Sequence, residues 1–487
     1  MRSAFYFIII FFTLAVTGCA KLDGVPEGTY TTGNFYKTEA DAVSAVNAVY
    51  SGMTSSYLYN QFMEVIQSQG TDDCEWGFGR NTSNTDKTAL DKFTFDAGTN
   101  LFYQFWSTSY QVINRANAAA ESIGGMTAVG KEKKERLQAE ARFVRGLMYF
   151  NLVRLFGGVP LQLIPTTSLN NLAVKRATEE EVYAQIIADF QFGADHLPPA
   201  YDAVNAGRAT SGAALAMLVK TYLTRKEYTK AVEEARKVMA TGRYSLWPSY
   251  QDVFLIANEN KTESIFEVQF LSGSGNIPSS YAGFYRPSFD KRPGFGGNGD
   301  NPVTKNHYDA YADGDLRRDV NVIKYSYTAD PKAPTTIKNP YYVAKFKDPA
   351  ALNVNDGGNN YYIVRYADVL LMFAEALYLS SPGSTEALEA FNQVRRRGYG
   401  LPVNTPSVRD LAGGLSVTAF QDAVLKERRL EFAFEGQRRF DLLRTGKLKQ
   451  AVNAQDPTII VRDSDTLFPI PSQERDTNPL LEQNPGF

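Results

Sequence analysis

The stretch Thr210 to Thr241, TSGAALAMLVKTYLTRKEYTKAVEEARKVMAT, reads as two helices joined by a tight turn. Leu215, Leu218, Tyr222 and Tyr228 recur at helical spacing, and the small Ala231 lets the second helix approach the first closely. A hairpin of this kind cannot bury its apolar side alone and needs a similar neighbour to cover it. The same register returns between Tyr366 and Arg395, at Leu371, Tyr378, Ala387, Phe391 and Val394, with Ser380-Ser381-Pro382-Gly383 as the turn. Two copies of one hairpin point to a stack of antiparallel helices.

This is the tetratricopeptide register, and the flanking sequence supplies more helices for such a stack. Glu39 to Tyr57 carries apolar residues at Ala42, Val43, Val46, Val49, Tyr50 and Met53. Leu101 to Ile123 is a second helix. Lys131 to Leu155 is a third, stopped by Gly157-Gly158 with Pro160 beyond. Thr178 and Glu181 form a capping box that opens Glu179 to Asp195. One more helix is expected from Thr418 to about Gly446, followed by an extended, proline-bearing tail. Two stretches differ in texture. Ser68 to Thr88 is polar and glycine-rich; Ser272 to Asn360 is rich in Gly, Pro, Asn and Tyr. A loop region that long is functional or disordered, and its aromatic content argues against disorder. The expected fold is mainly α: a tetratricopeptide-like superhelix with a large irregular loop-rich subdomain and a few short strands. The helical parts span about 39–256 and 361–450, the loop-rich part about 257–360 and the tail 451–487.

The N-terminus bounds the location. Arg2 precedes the apolar run Phe5 to Val16, too short to cross a bilayer, which is the pattern of a secretory signal over 1–18. It ends in Val16-Thr17-Gly18-Cys19, which resembles the lipobox of bacterial lipoproteins. That likeness implies cleavage before Cys19, diacylglycerol on its thiol and acylation of the new amine, a firm anchor because each buried CH₂ adds about 0.8 kcal/mol. The mature chain would then be 19–487. The only other cysteine, Cys74, is left without a disulfide partner. A net charge of −2 with no basic block gives no support for nucleic-acid binding. Stability must come from a core, for which 31 Phe and 28 Tyr are ample material.

Five stretches together resemble one family. They are AEARFVRGLMYFNLVRLFGGVPL (Ala139 to Leu161), GRATSGAALAMLVKTYL (Gly207 to Leu223), YYIVRYADVLLMFAEA (Tyr361 to Ala376), ERRLEFAFEGQRRFDLLR (Glu427 to Arg444) and the ending LFPIPSQERDTNPLLEQNPGF. In this order, behind a lipobox, the chain resembles the SusD/RagB family of outer-membrane nutrient-binding lipoproteins of Bacteroidetes-type bacteria. The resemblance implies a lipid-anchored protein in the outer membrane that faces the cell exterior. It would cap a TonB-dependent SusC-like barrel and hand it an oligosaccharide or, in the RagB branch, a peptide, with no catalysis and no cofactor. A tetratricopeptide scaffold that binds only protein, and a secreted hydrolase, are the readings from other classes.

The residues set these apart only in part. Glu427, Glu431 and Glu435 recur every four positions among Arg428, Arg429, Arg438, Arg439 and Arg444, so an ion-pair network joining this helix to its neighbours is expected. A glycosidase needs two carboxylates facing each other across a sugar, one of them with a raised pKa; carboxylates among arginines should have lowered ones. His196 and His307 are too far apart in sequence to suggest a metal site or triad. Asp309-Ala-Tyr-Ala-Asp313-Gly-Asp315 slightly resembles a calcium loop but lacks its spacing and closing glutamate, so a turn with solvated aspartates is expected. Two loops combine flat aromatic rings with hydrogen-bonding groups, the pairing that sugars require. The first offers Asp72, Asp73, Trp76 and Arg80, where the resemblance implies a ligand-lining loop. The second offers Tyr281, Tyr285, Phe289, Phe295 and Asn298. No catalytic or metal-binding residue is assigned.

Overall fold

The structure is a computed structural model; it describes residues 35–76, 84–168, 172–287, 289–290, 297–299, 301–325 and 340–487. The leader, the lipobox and Cys19 lie outside them.

Helices α1 (Glu39–Met53), α2 (Phe62–Ser68) and α3 (Thr85–Lys92) lead into two long ones, α4 (Asn100–Gly125) and α5 (Lys131–Phe156). After α6 (Glu179–His196) come the paired α7 (Ser211–Thr224) and α8 (Tyr228–Ala240). Local chemistry sets these ends. Thr178 caps α6 with the expected box: its hydroxyl accepts from the Glu181 amide, and the Glu181 carboxylate accepts from the Thr178 amide. Gly157 terminates α5 at φ 74°, in the left-handed region where glycine carries no steric penalty.

Each long helix packs on the next: α4 on α5, α5 on α6, α6 on α7, α7 on α8. The stack then skips the loop-rich part. Helix α8 packs against α12 (Tyr366–Ser380), which pairs with α13 (Thr385–Gly398). The second hairpin thus covers the first, as the repeated register requires. Ala231, Leu371, Tyr378, Ala387, Phe391 and Val394 are buried at these contacts. Tyr378 stacks on Phe420 with ring centroids 3.9 Å apart.

The intervening part holds β1 (Ser264–Val268), α9 (Tyr281–Tyr285), α10 (Lys305–Asp309), α11 (Arg317–Asn321), β2 (Val322–Lys324), β3 (Tyr341–Val343) and β4 (Tyr361–Arg365). Strands β1 and β4 pair antiparallel with Ser264 opposite Arg365; β2 and β3 pair with Val322 opposite Val343. The chain ends with α14 (Val417–Glu431), α15 (Arg438–Arg444), α16 (Leu448–Gln455) and α17 (Ser472–Thr477). Among the described residues no helix is long and apolar enough to cross a membrane.

The helix expected from Thr418 to Gly446 is broken between Glu431 and Arg438. Phe434 and Gly436 both have positive φ, 62° and 68°, and a Cβ on Gly436 would lie 2.0 Å from the Tyr361 hydroxyl. The break turns Glu435 back toward Arg365. The buried Arg365 guanidinium meets Glu431 (2.7 Å), Glu435 (2.7 Å) and Glu263 (2.6 Å). Glu435 therefore joins Glu431 around one cation without sharing its helix.

Candidate functional site

The first candidate loop is pinned at its base. Cys74 bridges antiparallel to Val303. The Thr304 amide donates to the Asp73 carbonyl (2.9 Å), and the Thr304 hydroxyl to that of Asp72 (2.7 Å). The two aspartates turn toward the C-terminal helices. Arg438 grips the Asp72 carboxylate through Nε and Nη2, each at 2.7 Å, the strong bidentate form of this pair. Arg429 Nε reaches Asp73 at 2.8 Å, and His307 Nδ1 lies 2.9 Å from the same oxygen. Burial alone would raise the Asp73 pKa; His307 and Arg429 outweigh it and hold the carboxyl well below the usual carboxylate range. Burial likewise pushes the His307 pKa down, against the pull of Asp73. Both aspartates are buried, so their oxygens hold the loop to α14 and α15 rather than face solvent.

The second candidate loop is also anchored from within. All of α9 is buried. Tyr281 packs against Phe346 (4.8 Å between centroids) and Tyr361 (5.5 Å), and Tyr285 donates its hydroxyl to Glu64. A Cβ on Gly283 would lie 1.9 Å from the Val354 carbonyl, so glycine alone permits this approach. Tyr281 and Tyr285 are thus core residues here. Their neighbours on the loop differ: Phe289 and Asn298 are half-buried. The Asn298 backbone amide donates to the Gly283 carbonyl (2.9 Å). Trp76 is 7% exposed. Arg80 and Phe295 lie outside the described residues.

The structure brings the two loops together at Lys87 of α3. Its Nζ lies 4.7 Å from the Trp76 ring centroid and 4.0 Å from that of Phe284, a cation shared by one aromatic from each loop. A further set of rings, which the sequence did not single out, flanks β2 and β3. Phe289 meets Tyr325 edge-on at 5.0 Å and Tyr342 at 5.7 Å, and Tyr308 lies 4.6 Å from Tyr341. Strands β2 and β3 gather these rings. The available signal was the density of tyrosine between 308 and 342, without the pairing that assembles it.

The buried charges of α14 and its neighbours form an ion-pair network. Glu431 faces Arg397, Arg365 and Arg317; burial opposes its ionisation, yet the three cations bring its pKa to about 2. Glu427 sits between Arg317 (2.6 Å) and Arg395 (3.0 Å). Glu431, held ionised by its three cations, does not act as a general acid. Arg428 bridges Asp368 (2.6 Å) and Asp441 (2.8 Å), tying α14 to α12 and α15. In the stretch likened to a calcium loop, Asp313 is solvated as expected, but Asp315 is buried and held by Arg317 at 2.7 Å.

Comparison with known proteins agrees with this architecture. A family model described as "SusD family" matches residues 317–487, and one described as "Starch-binding associating with outer membrane" matches residues 30–223. The chain is 30% identical to SusD-like protein P2 of Formosa agariphila, over 99% of each chain. It is 26% identical to a SusD-like protein of Bacteroides ovatus, over 87% of this chain and 78% of that one. Among solved structures it is similar to a SusD homolog from Bacteroides thetaiotaomicron, with a TM-score of 0.83 and 28% identity over 94% of this chain and 98% of that one. It is also similar to a laminarin-binding SusD-like protein, with a TM-score of 0.79 and 28% identity over 93% and 100%. With a relative matched over nearly the whole length and the helical stack shared, the chain belongs to the SusD/RagB family.

Proposed function

We propose that this protein captures a glycan oligosaccharide at the outer membrane and passes it, without cleaving it, to a TonB-dependent SusC-like transporter. In this reading Cys19 carries the lipid that holds the body at the cell exterior. The observation that carries the proposal is the likeness, over 93% of the chain, to a protein whose ligand is laminarin. The geometry is consistent with it. Two anchored loops converge at Lys87; on the second of them Phe289 offers a half-buried ring edge-on to that of Tyr325, and the half-buried Asn298 lies further along the same loop. Flat rings cover the CH faces of a sugar, and the amide hydrogen-bonds its hydroxyls. Asp72, Asp73, Tyr281 and Tyr285 serve as supports that fix the loops, while Arg80, Phe289, Phe295 and Asn298 are the residues assigned to contact.

Calorimetry of the soluble form starting at Ala20 against laminarihexaose and a panel of other neutral oligosaccharides tests this. Binding without product, weakened about tenfold by Phe289→Ala, is the expected result. Failure of every glycan in the panel to bind, or release of shorter sugars, would overturn the reading.

A further inference from the structure

A second cavity, of about 240 Å³, lies on the helical body between the segment entering α7 and the turn leading into β1. It shares no residue with the two loops. Its lining contains no carboxylate but three cationic side chains: Arg208, Arg243 and Lys261. Arg208 is neutralised by Glu140, 2.7 Å away. Arg243 and Lys261 are exposed, and neither forms an ion pair among the described residues; the Lys261 ammonium donates to the Ala257 carbonyl. The cavity therefore carries about two uncompensated positive charges.

The backbone around Lys261 is strained. Asn260 and Thr262 flank it with φ of 56° and 41°, and a β-branched residue in the left-handed region is a conformational outlier. Such strain persists where the surroundings impose it, and it collects at binding sites. Here it fixes the turn that places Lys261 in the lining of the same cavity as Arg243. Two half-buried rings complete the lining, Tyr201 and Tyr244. Tyr244 is held in place by its hydroxyl, 3.3 Å from that of Thr210, at the start of α7.

We infer that this cavity binds one acidic sugar unit, a pyranose bearing a carboxylate or a sulfate. Arg243 and Lys261 take the anionic group, and the rings of Tyr201 and Tyr244 flank the sugar. The planar guanidinium pairs with two oxygens of either anion at once, and the volume suits a single ring. The inference rests on the proposed capture of glycans and adds to it a second, charge-selective contact on a longer chain.

The test is calorimetry at fixed ionic strength with three sugars (trigalacturonic acid, a sulfated galactan hexasaccharide and laminarihexaose) and one peptide, tetraglutamate. The variant is Arg243→Ala/Lys261→Ala, both exposed positions, with its melting temperature as the folding control. The variant should lose tenfold or more in affinity for whichever acidic probe the native protein binds, and keep its affinity for laminarihexaose within twofold. Binding of the uronate alone, or of the sulfated probe alone, supports the inference and selects the anion. Acidic probes bound equally well by the variant overturn it, as does a native protein that takes laminarihexaose but neither acidic probe; glycan capture survives both. A native protein that binds none of the three sugars overturns the inference, and the neutral panel then decides glycan capture separately. Binding of tetraglutamate lost in the variant, with no acidic sugar bound, would reassign the cavity to acidic peptides.

Discussion

Arg365→Met is the sharpest test of how the loop-rich part is held to the helical stack. Arg365 ends β4, is 1% exposed and meets three carboxylates: Glu263 before β1, Glu431 at the end of α14 and Glu435 in the break. Methionine fills much of the volume but removes the charge shared by the three. Glu263 and Glu431 keep Arg397, and Glu435 keeps Lys345 at 2.6 Å, so the carboxylates are weakened rather than abandoned. Removing one partner from a buried pair costs about 3–5 kcal/mol. At about 2.1 cal/mol/K of unfolding entropy per residue, a body of roughly 450 residues loses about 1 °C for each kcal/mol, so melting should fall by about 3–5 °C. The control is Arg236→Met. Arg236 pairs with Glu386 at 2.7 Å, but both are about half exposed, and such pairs contribute less than about 1 kcal/mol. Scanning calorimetry of both variants at pH 7 separates them. Equal shifts of under 1 °C would refute the claim that this buried cluster locks β1, β4 and the C-terminal helices together.

Three further outcomes are expected. Burial raises the Glu64 pKa to about 8, against the hydrogen bond from Tyr285; the unfolded value is about 4.3. The folded state therefore holds a proton that the unfolded chain has lost, and stability should decline as pH rises from about 4.3 to about 8. Glu64→Gln should flatten that slope in melting curves taken at pH 5 to 8, and an unchanged slope would show that Glu64 is not its source. Gly436→Ala forces a side chain into a left-handed position and against the Tyr361 hydroxyl. It should cost at least about 1–2 kcal/mol, read from urea unfolding; a neutral result would mean that the break after α14 is loose. Cys19→Ser should move the protein from the membrane fraction to the soluble fraction, as judged by immunoblot, and retention on membranes would defeat the lipid-anchor proposal.

What the sequence made legible was what short-range spacing decides. Leu371, Tyr378 and Ala387 declare their burial through residues three, four and seven positions away, so the two hairpins could be read directly, while the packing of one on the other across the loop-rich part could not. The Thr178–Glu181 cap and the stop at Gly157 are local in the same sense. The break after Glu431 is not. It is set by Arg365, 66 positions from Glu431 and 70 from Glu435, and the even spacing of Glu427, Glu431 and Glu435 pointed to a continuous helix instead. The candidate loops show the same limit. Asp72 and Asp73 have the right chemistry for a sugar, but Arg438 and Arg429, more than 350 positions away, already occupy them. Tyr281 and Tyr285 are as flat as any ligand platform, yet Phe346 and Tyr361 pack on the first and Glu64 takes the hydroxyl of the second. A tyrosine or an aspartate serves a core and a binding surface through the same ring and the same oxygens. Which of the two it serves depends on whether a distant partner reaches it first, so in this chain residue type located the loops while long-range pairing selected which of their side chains are fully buried, leaving Phe289 and Asn298 half-buried, with Phe289 against the unforeseen Tyr325.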